Sequence, residues 1–88
     1  MDRIAEIRLR LQHALQPLTL EIQDDSAQHR GHAGAAGGGG HYTVRVVSAQ
    51  FAGLPLIARH RLVYQAVSDL MPGVIHALSI KAQAPEEQ

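Results

Sequence analysis

The chain has no cysteine and no tryptophan, and only one phenylalanine and two tyrosines. Without cysteine there is no disulfide framework and no thiolate to serve as nucleophile or metal ligand. A metal held by this chain must be met by His, Asp or Glu, and any sulfur ligand must come from a partner. With so few aromatic rings the core must be aliphatic. Excess charge of one sign is missing too: eight basic and eight acidic residues give a formal net charge of zero. Strong non-specific nucleic-acid binding usually needs a basic excess. The balance argues against it and leaves room only for a local basic patch. No apolar run approaches the length of a membrane span, so no membrane partner is expected. The opening residues carry charges at Asp2, Arg3 and Glu6 and lack the apolar stretch of a secretion signal. A cytoplasmic location is the expectation.

What is present suits one small domain. The chain has 88 residues, of which 45% are apolar, enough for a modest core and too apolar for a disordered chain. Residues 2–15 place Ile4, Ile7, Leu11, Ala14 and Leu15 at helical spacing, with Asp2 as N-cap and Pro17 as the stop. Residues 18–23 alternate, with Leu18, Leu20 and Ile22 on one face, which predicts a strand. The β-branched run 42–47 predicts a second strand. Phe51–Pro55 reads as a turn. Residues 56–71 then carry Leu56, His60, Val63, Val67 and Leu70 on one helical stripe, ended by Pro72 and Gly73. Residues 74–81 predict a third strand with Val74, His76, Leu78 and Ile80 on one face. Residues 1–82 form the expected domain, and residues 83–88 a disordered tail.

The order is α-β-β-α-(α)-β. Strands one and two form a hairpin. The helical stretch between strands two and three is long enough for a crossover, so those two can run parallel. The predicted fold is α+β: a three-stranded mixed sheet with helices packed on one face.

Between strands one and two lies HRGHAGAAGGGGH, residues 29–41, a long glycine-rich connection that holds His29, His32 and His41. His76 begins strand three. If strand three runs parallel to strand two, the end of strand one and the starts of the other two share one edge. Three neighbouring strands span about 10 Å. The topology thus gathers histidines that the sequence scatters, and imidazole suits Fe, Zn, Cu and Ni. His-x-x-His spacing occurs by chance, and composition and spacing alone favour solvated polar residues beside a hairpin tip. His60 reads as a core histidine and His13 as a helix-end residue. Arg59-His60-Arg61 reads as a solvated helix rim or as a phosphate contact. No nucleophile with an orienting acid is evident, and the glycine run lacks the Lys-Ser/Thr of a phosphate-binding loop, so an enzyme is not expected.

Five blocks, taken together, are specific. They are Leu20-Glu21 with Asp25-Ser26-x-x-His29; His41-Tyr42; Val47-Ser48-x-x-Phe51-x-Gly53; Arg59-His60-Arg61-x-Val63-Tyr64; and Val74-Ile75-His76-Ala77-Leu78. In order and spacing they make the chain resemble the BolA family over residues 4–82. The resemblance implies a fold related to the class II KH domain, with a short extra helical turn near residues 51–58 or near Pro72. It also implies a partner, a monothiol glutaredoxin with a Cys-Gly-Phe-Ser motif. The shared [2Fe–2S] cluster would take sulfur from the glutaredoxin and glutathione and imidazole from this chain, in iron–sulfur cluster assembly, trafficking or iron regulation. No cofactor is expected in the isolated protein. Carried over, the ligands are His76 and His29, with His32 and His41 ranked behind them. The competing function is a DNA-binding transcriptional regulator of morphology or stress response, contacting phosphate through Arg59, Arg61 and Lys81. A third is a mononuclear metal on His29, His32 and His76. Whether the protein acts alone, as a homodimer or only in a heterocomplex stays open at this level.

Overall fold

The computed structural model describes residues 2–26 and 39–88. Helix α1 spans Arg3–Leu15, strand β1 Thr19–Asp24, strand β2 Gly40–Val47, helix α2 Leu56–Ala66 and strand β3 Ile75–Gln83. Short 3-10 turns occupy Ala49–Phe51, Ser68–Leu70 and Pro85–Glu87. The sheet order is β1-β2-β3, with β2 antiparallel to β1 and parallel to β3. This is the α+β architecture that the periodicities predict, with short helical turns both before α2 and before Pro72.

Each element forms for a local reason. The N–H of Ile4 donates to Asp2 Oδ1 at 3.3 Å and caps α1, whose Ile7, Leu11 and Leu15 are buried. Tyr42, Val44 and Val46 alternate inward along β2 and meet them. Phe51, Val63, Val67 and Ile75 are fully buried and complete the core. Arg10 ties α1 to the turn after α2: its Nε donates to both Asp69 carboxylate oxygens at 2.9 Å, and its Nη1 reaches Glu6 at 2.6 Å. The same hydrogen bonds hold the Asp69 carboxyl below its ordinary range.

Four expectations are corrected. The apolar stripe of the second helix does not include Leu56, the first residue of α2, which is 62% exposed. The helix itself stops at Ala66, and Val67 turns the chain into the 3-10 segment. The inward face of β3 is not Val74, His76, Leu78 and Ile80. Gly40 pairs with Ile75 while His41 pairs with Ala77, so His76 is an extra residue on β3, a β-bulge. Ile75 is buried, His76 and Ala77 are exposed, and the inward set resumes at Leu78, Ile80 and Ala82. The inserted residue shifts the alternation and leaves His76 outside. Finally, residues 83–88 are not a disordered tail. Gln83 closes β3, Ala84 is fully buried, and Glu87 returns to cap the Ala84 N–H at 3.0 Å.

Candidate metal centre

The end of β1 and the starts of β2 and β3 share one rim, as antiparallel and parallel pairing require. The rim is pinned by local polar residues. Asp24 Oδ1 accepts from the Ser26 N–H at 2.9 Å, forming an Asx-type turn, and bonds from Ser26 hold the Asp24 carboxyl below its ordinary range. The Asp25 N–H donates to the His41 carbonyl at 2.7 Å, and the His41 N–H donates to Ser26 Oγ at 3.2 Å. The Asp25 carboxylate accepts from Gln23 Nε2 at 2.8 Å and from the Thr43 hydroxyl. These contacts fix the point where the chain leaves β1 and the point where it enters β2. On the other side, the Gly40 N–H donates to the Val74 carbonyl at 2.9 Å.

Two imidazoles meet on this rim. The rings of His41 and His76 lie with centroids 5.4 Å apart and planes inclined at 48°. His76 is exposed and His41 is half-buried, with its Nε2 shielded from solvent. His29 and His32 fall outside the described residues. Among the described residues, His41, the histidine ranked behind His29 in the sequence, is placed against His76. The signal for this was available in the parallel register of β2 and β3, but the bulge that aims His76 outward was not.

The other candidates lie elsewhere. His60 is half-buried on α2, with Leu56, Ile80, Lys81 and Ala82 in an open groove of about 520 Å³. Four residues along β3 from His76 places Ile80 about 13 Å from the rim. The His60 Nε2 has no hydrogen-bond partner among the described residues. His13 is exposed in the last turn of α1, where partial positive charge suits the helix dipole.

The basic cluster divides. Arg59 is turned inward, with only 11% of its side chain exposed. Its Nε donates to the Leu54 carbonyl at 2.9 Å, its Nη1 to the Ala82 carbonyl at 3.1 Å, and its Nη2 to Glu87 Oε2 at 2.7 Å. That pairing pulls the Glu87 carboxyl down to about 2. Tyr64, further along the same helix, donates its hydroxyl to the Leu78 carbonyl at 3.3 Å. Arg59 and Tyr64 therefore occupy carbonyls on the outer edge of β3, and such cover protects an edge strand from pairing with another chain. Arg61 and Lys81 are exposed. Lys81 stands beside Arg45 in register, and Arg45 reaches Glu21 at 3.4 Å.

The donor set at the rim contains imidazole and carboxylate and no sulfur. Among the described residues no group of three or more His, Asp and Glu side chains forms a closed metal site. An exposed imidazole braced by a second one, with no thiolate on the chain, fits a metal centre that another molecule completes.

Comparison with known proteins agrees with this architecture. The family model described as BolA-like protein matches residues 11–87. The chain is 43% identical over 91 residues to SufE-like protein 1 of Arabidopsis thaliana, named chloroplastic/mitochondrial, covering 98% of this chain and 24% of that protein. The solved BolA domain of SufE1 from the same plant matches with a TM-score of 0.86 and 40% identity, covering 100% of this chain and 98% of that domain. Mouse BolA-like protein 1 is 43% identical over 83 residues, covering 94% of this chain and 58% of that protein. The DNA-binding transcriptional regulator BolA of Vibrio cholerae is 38% identical over 81 residues, covering 92% of this chain and 74% of that protein. The chain thus spans a quarter of one of these relatives and less than three fifths of another. The motif blocks, the topology and these matches converge: the chain belongs to the BolA-like family.

Proposed function

We propose that the protein is a non-enzymatic partner of a monothiol glutaredoxin and shares a [2Fe–2S] cluster with it. The observation that carries this reading is the placement of His76, exposed on a bulge at the rim where the chain leaves β1 and enters β2. His76 is the first ligand. The second is another imidazole of this chain, with His29 taken from the family pattern and His32 and His41 behind it. Glutaredoxin and glutathione thiols supply the sulfur that this chain lacks. Imidazole in place of thiolate raises the potential of a [2Fe–2S] centre, which suits a cluster to be handed on or sensed. The chain's own contribution is to hold one imidazole outward on β3 and to pin the points where the chain leaves β1 and enters β2.

Co-expression with a monothiol glutaredoxin tests this. The purified pair is expected to show a visible absorption spectrum distinct from that of the glutaredoxin homodimer, and His76→Ala is expected to remove the difference. An identical spectrum with and without this chain contradicts the proposal.

One relative's name favours a second reading, DNA binding. Its exposed basic residues are Arg61 on α2 and Lys81 on β3, with the half-buried Arg45 beside Lys81 in register. Arg59 is already engaged by Glu87 and two carbonyls, so it acts on phosphate only if those bonds break. Phosphate contacts predict affinity that falls steeply with salt and weakens in Arg61→Ala and Lys81→Ala. Equal affinity for DNA in those variants removes this reading.

A further inference from the structure

We propose that Gly39, just before β2, and His41, within it, form a positioning cradle that sets the aim of His76. Gly39 acts by having no side chain. A Cβ built there lies 2.8 Å from His76 Cβ, 3.1 Å from the Pro72 carbonyl and 3.3 Å from the Gly73 carbonyl. The first distance is closer than non-bonded carbons approach, and the other two contacts are backbone, which cannot swing aside as a side-chain tip can. Residue 39 must therefore be glycine for β2 to pass this close beneath the bulge.

His41 acts from the side. Its backbone is held by Asp25, Ser26 and the pairing with β3, and its ring Nε2 is shielded from solvent. The His76 ring rests against it at 5.4 Å, within the range of packed aromatic pairs. A bulged, exposed side chain would otherwise sample several rotamers. The glycine fixes where the His76 Cβ sits, and the neighbouring ring limits where its imidazole turns. Gly40 serves a separate purpose: a Cβ there would strike the buried Tyr42 ring at 2.5 Å, so this glycine belongs to the core.

The consequence for a cluster rests on the function proposed above; the geometric claim does not. The test uses the full chain as wild type, Gly39→Ala, Gly73→Ala, His41→Ala and His41→Phe. Gly73→Ala is the control, because a Cβ there meets nothing within 4 Å. The first readout is NMR of the partner-free protein: the nuclear Overhauser contact between ring 41 and the His76 ring, and the His76 ring shifts. The second is the visible spectrum of the complex with a monothiol glutaredoxin. Gly39→Ala is expected to lose the ring contact, move the His76 resonances and lose the spectral signature, while the Val44 and Val63 methyl signals stay in place. Gly73→Ala is expected to match wild type in both readouts. His41→Phe is expected to keep the contact and the signature, and His41→Ala to lose both. Should Gly39→Ala fail to fold, the His41 pair decides the question. Retention of the wild-type contact in Gly39→Ala overturns the cradle. So does loss of the signature in His41→Phe as complete as in His41→Ala, because that makes the imidazole a ligand and not a prop. A wild-type pair without any new spectrum removes the proposed function and leaves the NMR to judge the cradle.

Discussion

The two ends of the sheet use polar residues in opposite ways. At the end where β2 and β3 finish, polar groups are consumed internally. Ser48 is fully buried, donates its hydroxyl to the Leu15 carbonyl at 2.7 Å and accepts from the Gln50 N–H at 3.1 Å. Its own N–H donates to the Gln83 carbonyl at 3.0 Å, so one serine joins α1, β2 and β3. Arg59 does the same among Leu54, Ala82 and Glu87. At the end where β2 and β3 begin, backbone groups are pinned, but the His76 imidazole stays exposed. Both ends carry blocks of the family pattern. A matching block therefore marks either a sealed joint or an open site, and only the fate of its polar atoms separates the two.

Substitutions at the sealed end should cost stability and leave the rim's chemistry alone. The largest effect is expected for Phe51→Ala, which empties a fully buried site and should cost about 3–5 kcal/mol, read as a shifted urea midpoint. Ser48→Ala strands the Leu15 carbonyl and the Gln50 N–H and should cost about 1–3 kcal/mol by the same measurement. At the rim, Gly39→Ala forces overpacking worth about 1–3 kcal/mol, yet its main signature is displacement of His76. A Ser48→Ala protein that stays folded but fails to pair with glutaredoxin would break the contrast between the ends.

The smallest effect concerns acid. Arg59 lowers the Glu87 carboxyl from its ordinary 4.5 to about 2. A depressed carboxylate contributes fully above its unfolded value and loses that contribution as pH falls through the folded one. Wild type should therefore lose stability between about pH 5 and 2 more steeply than Glu87→Gln, by a small margin because Glu87 itself is exposed to solvent. Parallel acid titrations of the two proteins by circular dichroism check this, and superimposable curves would remove the latch between Pro85–Glu87 and α2.

Much of the fold was legible because its spacings are uniform. Ile7, Leu11 and Leu15 announce α1, and Tyr42, Val44 and Val46 announce β2, without help from distant residues. The shared rim followed from chain direction alone. The remainder depended on contacts that spacing does not encode. A single inserted residue at His76 reverses the phase of β3, and alternation read from Leu78 and Ile80 backwards assigns His76 to the wrong face. Arg59 looks solvated in a Arg-His-Arg run because its partner, Glu87, lies 28 residues further on. The same distance hid the order of residues 83–88. By spacing alone Gly39 is one more glycine in a glycine-rich run, and only the approach of His76 gives it a specific task.

The central claim is that His76 nitrogen binds iron in a shared cluster. Pulsed electron paramagnetic resonance of the reduced glutaredoxin complex, with only this chain labelled with 15N-histidine, tests it most directly. The account predicts a strongly coupled 15N signal that loses a component in His76→Ala. A signal unchanged by that substitution, or no histidine coupling at all, would contradict it.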